Sequence, residues 1–197
     1  MSIFSNDNFL IGVHQSILLR FGIRKDTVIT QRLFDELREA ESEKEIEEYL
    51  LNLLSRRMHA RSELKMKAQR KGYPAVKIDH VLHIFEEKGW IDDTGFAISF
   101  ARDKFELQRW GPVKIRSKLR SLGISRTDIE HALRKIETSE DDFEILRQLV
   151  LKRKAYFLRE PNLQKRKRKI ADYLLRKGFS SDNVFKYLEQ FLTMIEQ

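Results

Sequence analysis

Apolar positions recur along the chain with one spacing in three places. Lined up on Gly72, Gly123 and Gly178, Leu64, Ile115 and Ile170 stand eight residues before the glycine, and Ala68, Leu119 and Leu174 four before. Tyr73, Ile124 and Phe179 follow the glycine directly. Ile78, Ile129 and Val184 come six after it, and Leu82, Leu133 and Leu188 ten after. Residues four apart share a helix face, so the columns before the glycine predict one helix and those after it a second. The glycine suits the left-handed conformation that ends a helix, and the apolar residue behind it plugs the corner. A further helix precedes each pair. The pattern predicts an all-α chain, an elongated tandem array of three-helix repeats over 41–91, 92–137 and 138–197, with a small N-terminal segment, 1–40, of different character. Repeats of this length mark architectures whose units bury their faces against neighbours.

Local chemistry supports these limits. Ser42-Glu-Lys-Glu45 reads as a capping box opening the first helix of repeat one. Asp92, Asp93 and Thr94 can cap the first helix of repeat two. Ser139-Glu-Asp-Asp142 does the same for repeat three, with acids at the positive helix end. Pro74, Pro112 and Pro161 fall where a first helical turn is expected, a place proline tolerates. No strong strand is predicted beyond residue 40. Phe9 to Ile23, broken at Gly12 and Gly22, reads either as a short strand and a helix or as two helices; Thr30 to Ala40 reads as a helix.

Composition narrows the function classes. The chain has no cysteine, which excludes a disulfide framework, a thiolate zinc site and a cysteine nucleophile. No apolar run approaches the roughly 20 residues of a membrane-spanning helix, and no basic-then-apolar leader opens the sequence. A cytoplasmic monomer with no membrane partner is expected. His14, His59, His80, His83 and His131 form no metal motif. A Gly-rich phosphate loop, a nucleophile elbow and HExxH are all missing. Neither cofactor, metal nor catalysis is expected. A helix cap explains Asp92-Asp93 better than a metal site, because no third ligand stands at a recognised spacing.

Charge adds the candidate chemistry. The net charge is +8, and residues 1–47 are net −3, so the excess lies in the repeats. The expected middle helices, 61–71, 112–122 and 163–177, hold 5, 4 and 7 basic residues against 1, 0 and 1 acidic ones. The expected last helices, 76–88, 126–136 and 182–196, are net −2 together. A basic helix recurring in every copy points to a polyanion, whose counterions would be released on binding. The candidate residues are Lys65, Lys67, Arg70, Arg102, Arg109, Lys114, Arg116, Lys118, Arg120, Lys165, Arg166, Lys167, Arg168 and Lys169. The competing view is that a solvated helix face is simply charged. Trp90 and Trp110 could stack on bases, although a Trp beside a Gly at a repeat junction is more often packing.

Two stretches resemble a known family. Gly89-Trp-Ile-Asp-Asp-Thr-Gly-Phe-Ala97, then Arg109-Trp-Gly-Pro-Val-Lys-Ile-Arg-Ser-Lys-Leu119 and Gly123, resemble the bacterial RecX family. Its pattern has a Gly, an aliphatic position, two Asp and an aromatic-Ala pair, then Arg, Gly, Ile, Leu and Gly at these spacings. Leu54-Ser-Arg-Arg57, Glu63-Leu64 and Lys71-Gly72 resemble its first-repeat signature. The likeness covers about 45 to 190. His59 and Ala60 depart from the usual Arg and Ser or Thr, and Ala68 from the usual Leu.

The resemblance implies a regulator of DNA repair, homologous recombination and the SOS response. Such proteins bind the RecA recombinase filament on single-stranded DNA, lie in its helical groove, and inhibit strand exchange and ATP hydrolysis. Duplex DNA would be a non-specific second target. The alternative is a sequence-specific helix-turn-helix regulator, since Ile115 to Leu133 with Gly123 in the turn fits that motif. Against it, Asp128 and Glu130 open the would-be recognition helix and would face phosphates. An enzyme acting on nucleic acid would need a nucleophile–base pair or carboxylate cluster, and none is visible.

Overall fold

The computed structural model describes residues 1–5, 8–137 and 142–197, in two compact units, Met1–Ile91 and Asp92–Gln197. The expected cap at 139–142 falls largely outside the described residues. Apart from one small hairpin, every described element is a helix.

In the first unit, β1 (Ser2–Ser5) and β2 (Asn8–Gly12) pair antiparallel, with a register shift between Ile3 and Phe4. Helix α1 (Gln15–Arg20) follows. Of the two readings left open for 9–23, strand plus helix is the one realised. The partner strand, β1, lies upstream of the stretch singled out from sequence.

Helix α2 (Gln31–Leu54) corrects the capping expectation at Ser42. Ser42 sits in its interior, and the cap is Thr30, whose hydroxyl accepts from the Leu33 N–H at 3.2 Å. The reason is local: strong helix formers run through Glu39-Ala40-Glu41 without Gly or Pro, so the backbone never takes the extended conformation an N-cap needs. This one helix serves two cores. Leu37 and Ala40 pack with Ile17 against Phe21, Ile23, Ile29 and Leu33. Ile46 and Leu50 join Leu64, Ala68, Ile78, Val81, Leu82 and Phe85 of α3 (Arg61–Arg70) and α4 (Ala75–Glu87).

The second unit holds α5 (Asp93–Glu106), α6 (Pro112–Ser121) and α7 (Arg126–Glu137), then α8 (Asp142–Leu151), α9 (Lys154–Leu158), α10 (Leu163–Lys177) and α11 (Ser181–Glu196). Helix α9 is one turn more than the three-helix pattern predicts. Asp92 caps α5 by accepting from the Gly95 N–H at 2.9 Å, as the sequence indicates. Of the three prolines, only Pro112 occupies a first helical turn. Pro74 is the N-cap of α4, and Pro161 precedes Asn162, the N-cap of α10.

The five columns hold. Residues at −8, −4, +6 and +10 are buried in all three copies; at +1, Ile124 and Phe179 are buried and Tyr73 is half-buried. Gly72, Gly123 and Gly178 have φ of 96°, 73° and 94°. Each turn closes in the same way. The +1 N–H reaches back to the −4 carbonyl, Tyr73 to Ala68 at 3.2 Å, Ile124 to Leu119 at 3.2 Å and Phe179 to Leu174 at 3.3 Å. This six-to-one bond is the Schellman closure, and it explains why an apolar residue must follow the glycine: the bond turns that side chain back onto the helix.

Candidate polyanion-binding surface

The repeats place their basic residues in two settings. Cations near the start of a middle helix would face its positive end, and here most of them are held by acids. In repeat one, Lys65 Nζ donates to Asp79 Oδ2 of α4 at 2.8 Å, and Arg61 Nε lies 2.8 Å from Glu86 Oε1. In repeat two, Arg116 grips Glu130 of α7 with two bonds, at 3.0 and 3.1 Å. In repeat three, Arg166 bonds Glu196 at 2.5 Å, Lys167 pairs with Glu189, and Lys169 Nζ donates to Glu160 at 2.6 Å. The hydrogen bonds from Lys65, Arg116 and Lys169 hold the carboxyls of Asp79, Glu130 and Glu160 below their ordinary range.

Lys67 lies 4.0 Å from Glu63, which Arg57 already holds at 2.5 Å. Burial pushes the Glu63 carboxyl up, but the Arg57 bond and charge outweigh it and leave the group lowered.

Cations at the last turn of each middle helix stand differently. Arg70 and Lys71, Lys118 and Arg120, and Arg176 are exposed and make no ion pair among the described residues. The negative end of the helix favours cations there, which accounts for part of their recurrence without any ligand. Lys165 is exposed, and Arg168 is exposed with Asp172 3.9 Å away. Arg102 is exposed on α5. Of the fourteen residues picked from sequence, Lys65, Arg116, Arg166, Lys167 and Lys169 are thus engaged within their own repeats. The partners of Lys65, Arg116, Arg166 and Lys167 sit on a different helix, 14 or more residues away, and Glu160 lies between α9 and α10, so helix-by-helix charge counting could not reveal them.

Within the second unit, the middle helices of repeats two and three meet end to end. The Gly111 N–H donates to the Lys177 carbonyl at 2.8 Å, and the Val113 N–H to the Gly178 carbonyl at 3.0 Å. The unsatisfied N–H groups opening α6 thereby cap the unsatisfied carbonyls closing α10. Both glycines are needed, because a Cβ on Gly111 would strike the Gly178 carbonyl and one on Gly178 would strike Lys114. The joint brings Lys114 beside Lys177. Lys114 Nζ lies 4.2 Å from the centre of the Trp110 ring, and Lys104 Nζ 5.3 Å from it. Trp90 meets Phe85 edge-on at 5.0 Å and carries Lys88 at 4.6 Å. Both tryptophans are therefore engaged in packing and cation–π contacts.

Arg109 follows α5 with φ of 50°, unusual for a residue with a side chain. It stands near Lys152 and Arg153, which sequence reasoning missed because they lie between α8 and α9, off the middle-helix register. Among the described residues, no group of three or more His, Asp or Glu is placed to hold a metal, and no helix is long and apolar enough to cross a membrane.

Comparison with known proteins agrees with this architecture. Residues 48–83, 92–133 and 140–188 match, in order, the first, second and third three-helix domains of RecX. Regulatory protein RecX of Leuconostoc mesenteroides subsp. mesenteroides is 32% identical over 177 residues, 90% of this chain and 66% of that protein, so the chain spans about two thirds of that relative's length. Regulatory protein RecX of Haemophilus influenzae (strain PittEE) is 34% identical over 135 residues, 68% of this chain and 86% of that one. A crystal structure of regulatory protein RecX gives a TM-score of 0.79 at 26% identity, over 96% of this chain and 92% of its own. Three matched domains in sequence order, on three Schellman-closed helix pairs with shared core columns, have one explanation: the chain belongs to the RecX family of regulatory proteins.

Proposed function

We propose that this chain is a negative regulator of the RecA recombinase, without catalysis of its own. It binds the RecA filament on single-stranded DNA, in the helical groove, and inhibits strand exchange and ATP hydrolysis. Family membership supports the choice of partner. The observation that carries the interaction is the pair of exposed cations at the last turn of the middle helix, Arg70 and Lys71 in repeat one and Lys118 and Arg120 in repeat two. Interactions repeated along one chain add through effective concentration, so each can be weak.

The test is RecA-dependent ATP hydrolysis on single-stranded DNA, titrated with this protein. Inhibition far below one molecule per RecA means end blocking; a near-stoichiometric requirement means groove coating. No inhibition at any ratio removes the proposal. Replacing Lys118 and Arg120 with Ala raises the half-inhibiting concentration by about tenfold, the order expected when two cation–phosphate interactions are removed. Helicity stays unchanged, since neither side chain holds an ion pair among the described residues. Unaltered inhibition at moderate salt discards the assignment. Arg116 is a poor choice for this test because its removal strips Glu130 as well.

A further inference from the structure

The N-terminal hairpin is poor in charge. Between Met1 and Gly12 the one ionisable side chain is Asp7, in a sequence of which 35% is charged. Strand alternation gives the hairpin two unlike faces. Ile3 packs inward with Ile17, Leu37 and Ala40. Its neighbours along β1, Ser2 and Phe4, stand on the opposite face and are exposed. Phe4 pairs with Phe9 while Ile3 pairs with Ile11, so Leu10 is the extra residue of a bulge. In a regular ladder Phe9 and Ile11 would share a face. The bulge sets Ile11 opposite the inward Ile3 and leaves Phe9 opposite the outward Phe4. The two rings meet edge to face at 5.9 Å and are 59% and 61% exposed. One inserted residue thus builds an aromatic pair that faces solvent.

We propose that this pair docks on the same pair of a second copy of the chain. Charge and symmetry select that occupant. Residues 1–91 hold 15 basic and 14 acidic side chains, while residues 92–197 hold 23 and 16. Copies can therefore meet through the first unit at almost no electrostatic cost, whereas the second unit repels its like. Asp7 is of the wrong sign to attract a nucleic acid. About a twofold axis, Phe4 of one copy meets Phe9 of the other, and the reverse. Area sets the strength. A phenylalanine presents roughly 200 Å², so the exposed fractions leave about 240 Å² of ring on each copy and about 500 Å² in the two together. Stable dimers bury about 1,200–2,000 Å², so dilute chains stay monomeric. The contact acts where copies already stand side by side, at effective concentrations in the millimolar range. A filament groove coated by successive copies is such a place; that consequence, unlike the contact itself, rests on the reading above.

The chain has no cysteine, so a single introduced thiol reports the contact. Ser2→Cys places it on the face of Phe4. Val76→Cys places it on α4 of the same unit, where the valine is 83% exposed. Each full chain, at about 1 mM and without recombinase or DNA, is treated with a short bismaleimide, and covalent dimer is followed on a denaturing gel. Each rate is divided by that of labelling with a monofunctional maleimide. Ser2→Cys cross-links about tenfold faster than Val76→Cys. Adding Phe4→Ala and Phe9→Ala slows it by about fivefold or more, the order that two aromatic contacts contribute. Raising the salt from about 0.1 M to about 1 M shortens screening from about 10 Å to about 3 Å and leaves the Ser2→Cys rate unchanged or higher. Equal rates at the two thiol positions overturn the contact, and so does an unslowed rate in the alanine variant. Loss of cross-linking at high salt also overturns it, and identifies a charged contact between copies instead. Should the alanine variant lose its hairpin, the comparison of Ser2→Cys with Val76→Cys, both with the rings in place, decides alone. Because no RecA is present, failure here leaves the ATP-hydrolysis test standing, and the reverse holds.

Discussion

Adding one methyl group at Gly178 measures how much the end-to-end joint of α10 and α6 contributes. The same substitution at Gly72 is the natural control, because the two glycines hold equivalent places in their repeats. At Gly72 the φ is 96° and a Cβ meets nothing within 4 Å. Gly72→Ala therefore carries only the left-handed penalty, about 1–2 kcal/mol, partly offset by a stiffer unfolded chain. At Gly178 the φ is 94°, and the added Cβ lands 2.7 Å from the Lys114 nitrogen and 3.0 Å from its Cα. The obstacle is backbone, so α6 must move. Its movement breaks the Gly111–Lys177 and Val113–Gly178 bonds, each worth about 1 kcal/mol net. Gly178→Ala should thus cost about 3–4 kcal/mol, some 2 kcal/mol more than Gly72→Ala. Urea unfolding followed by circular dichroism reads both. A gap under about 0.5 kcal/mol, the scatter of an ordinary surface substitution, refutes the joint as described.

Two further outcomes follow from the caps and ion pairs. Asp92→Ala removes the oxygen that accepts from Gly95 and lowers stability by about 1 kcal/mol in the same unfolding assay, while Asp92→Asn retains most of it. The lowered carboxyls of Asp79, Glu130 and Glu160 contribute stability that is complete above the ordinary carboxylate range, about pH 4, and is lost as pH falls through their lower folded values. A paired Arg116→Met, Glu130→Gln variant should therefore lose part of the acid-side decline in melting temperature, and an unchanged decline removes Glu130 from that account.

The repeat core was legible because a side chain's burial in a helix depends on its spacing, and spacing is local. Leu119 and Ile129, ten residues apart across Gly123, could be assigned to one core without knowing anything distant. The cap at Asp92 was equally local. Ser42 misled because a capping sequence competes with whatever precedes it, and the helix arriving from Gln31 prevailed. Helix α9 and the pairing of β1 with β2 had too few residues to show a period. The basic surface was half legible. The charge excess on the middle helices is real, yet which cations remain exposed depends on acids such as Asp79 and Glu130 on the following helix. Lys152 and Arg153 escaped notice because only the fold brings them to Arg109 and Lys177.

The joint also sets an order on synthesis. A chain emerging from the ribosome N-terminus first makes α6 long before Lys177 and Gly178 exist. Until those residues arrive, the amides of Gly111 and Val113 have only water to bond, and the entry to α6 is free to fray. Repeat two is thus completed by repeat three, and a nascent or prematurely stopped chain lacking α10 would carry a second repeat whose middle helix starts loosely.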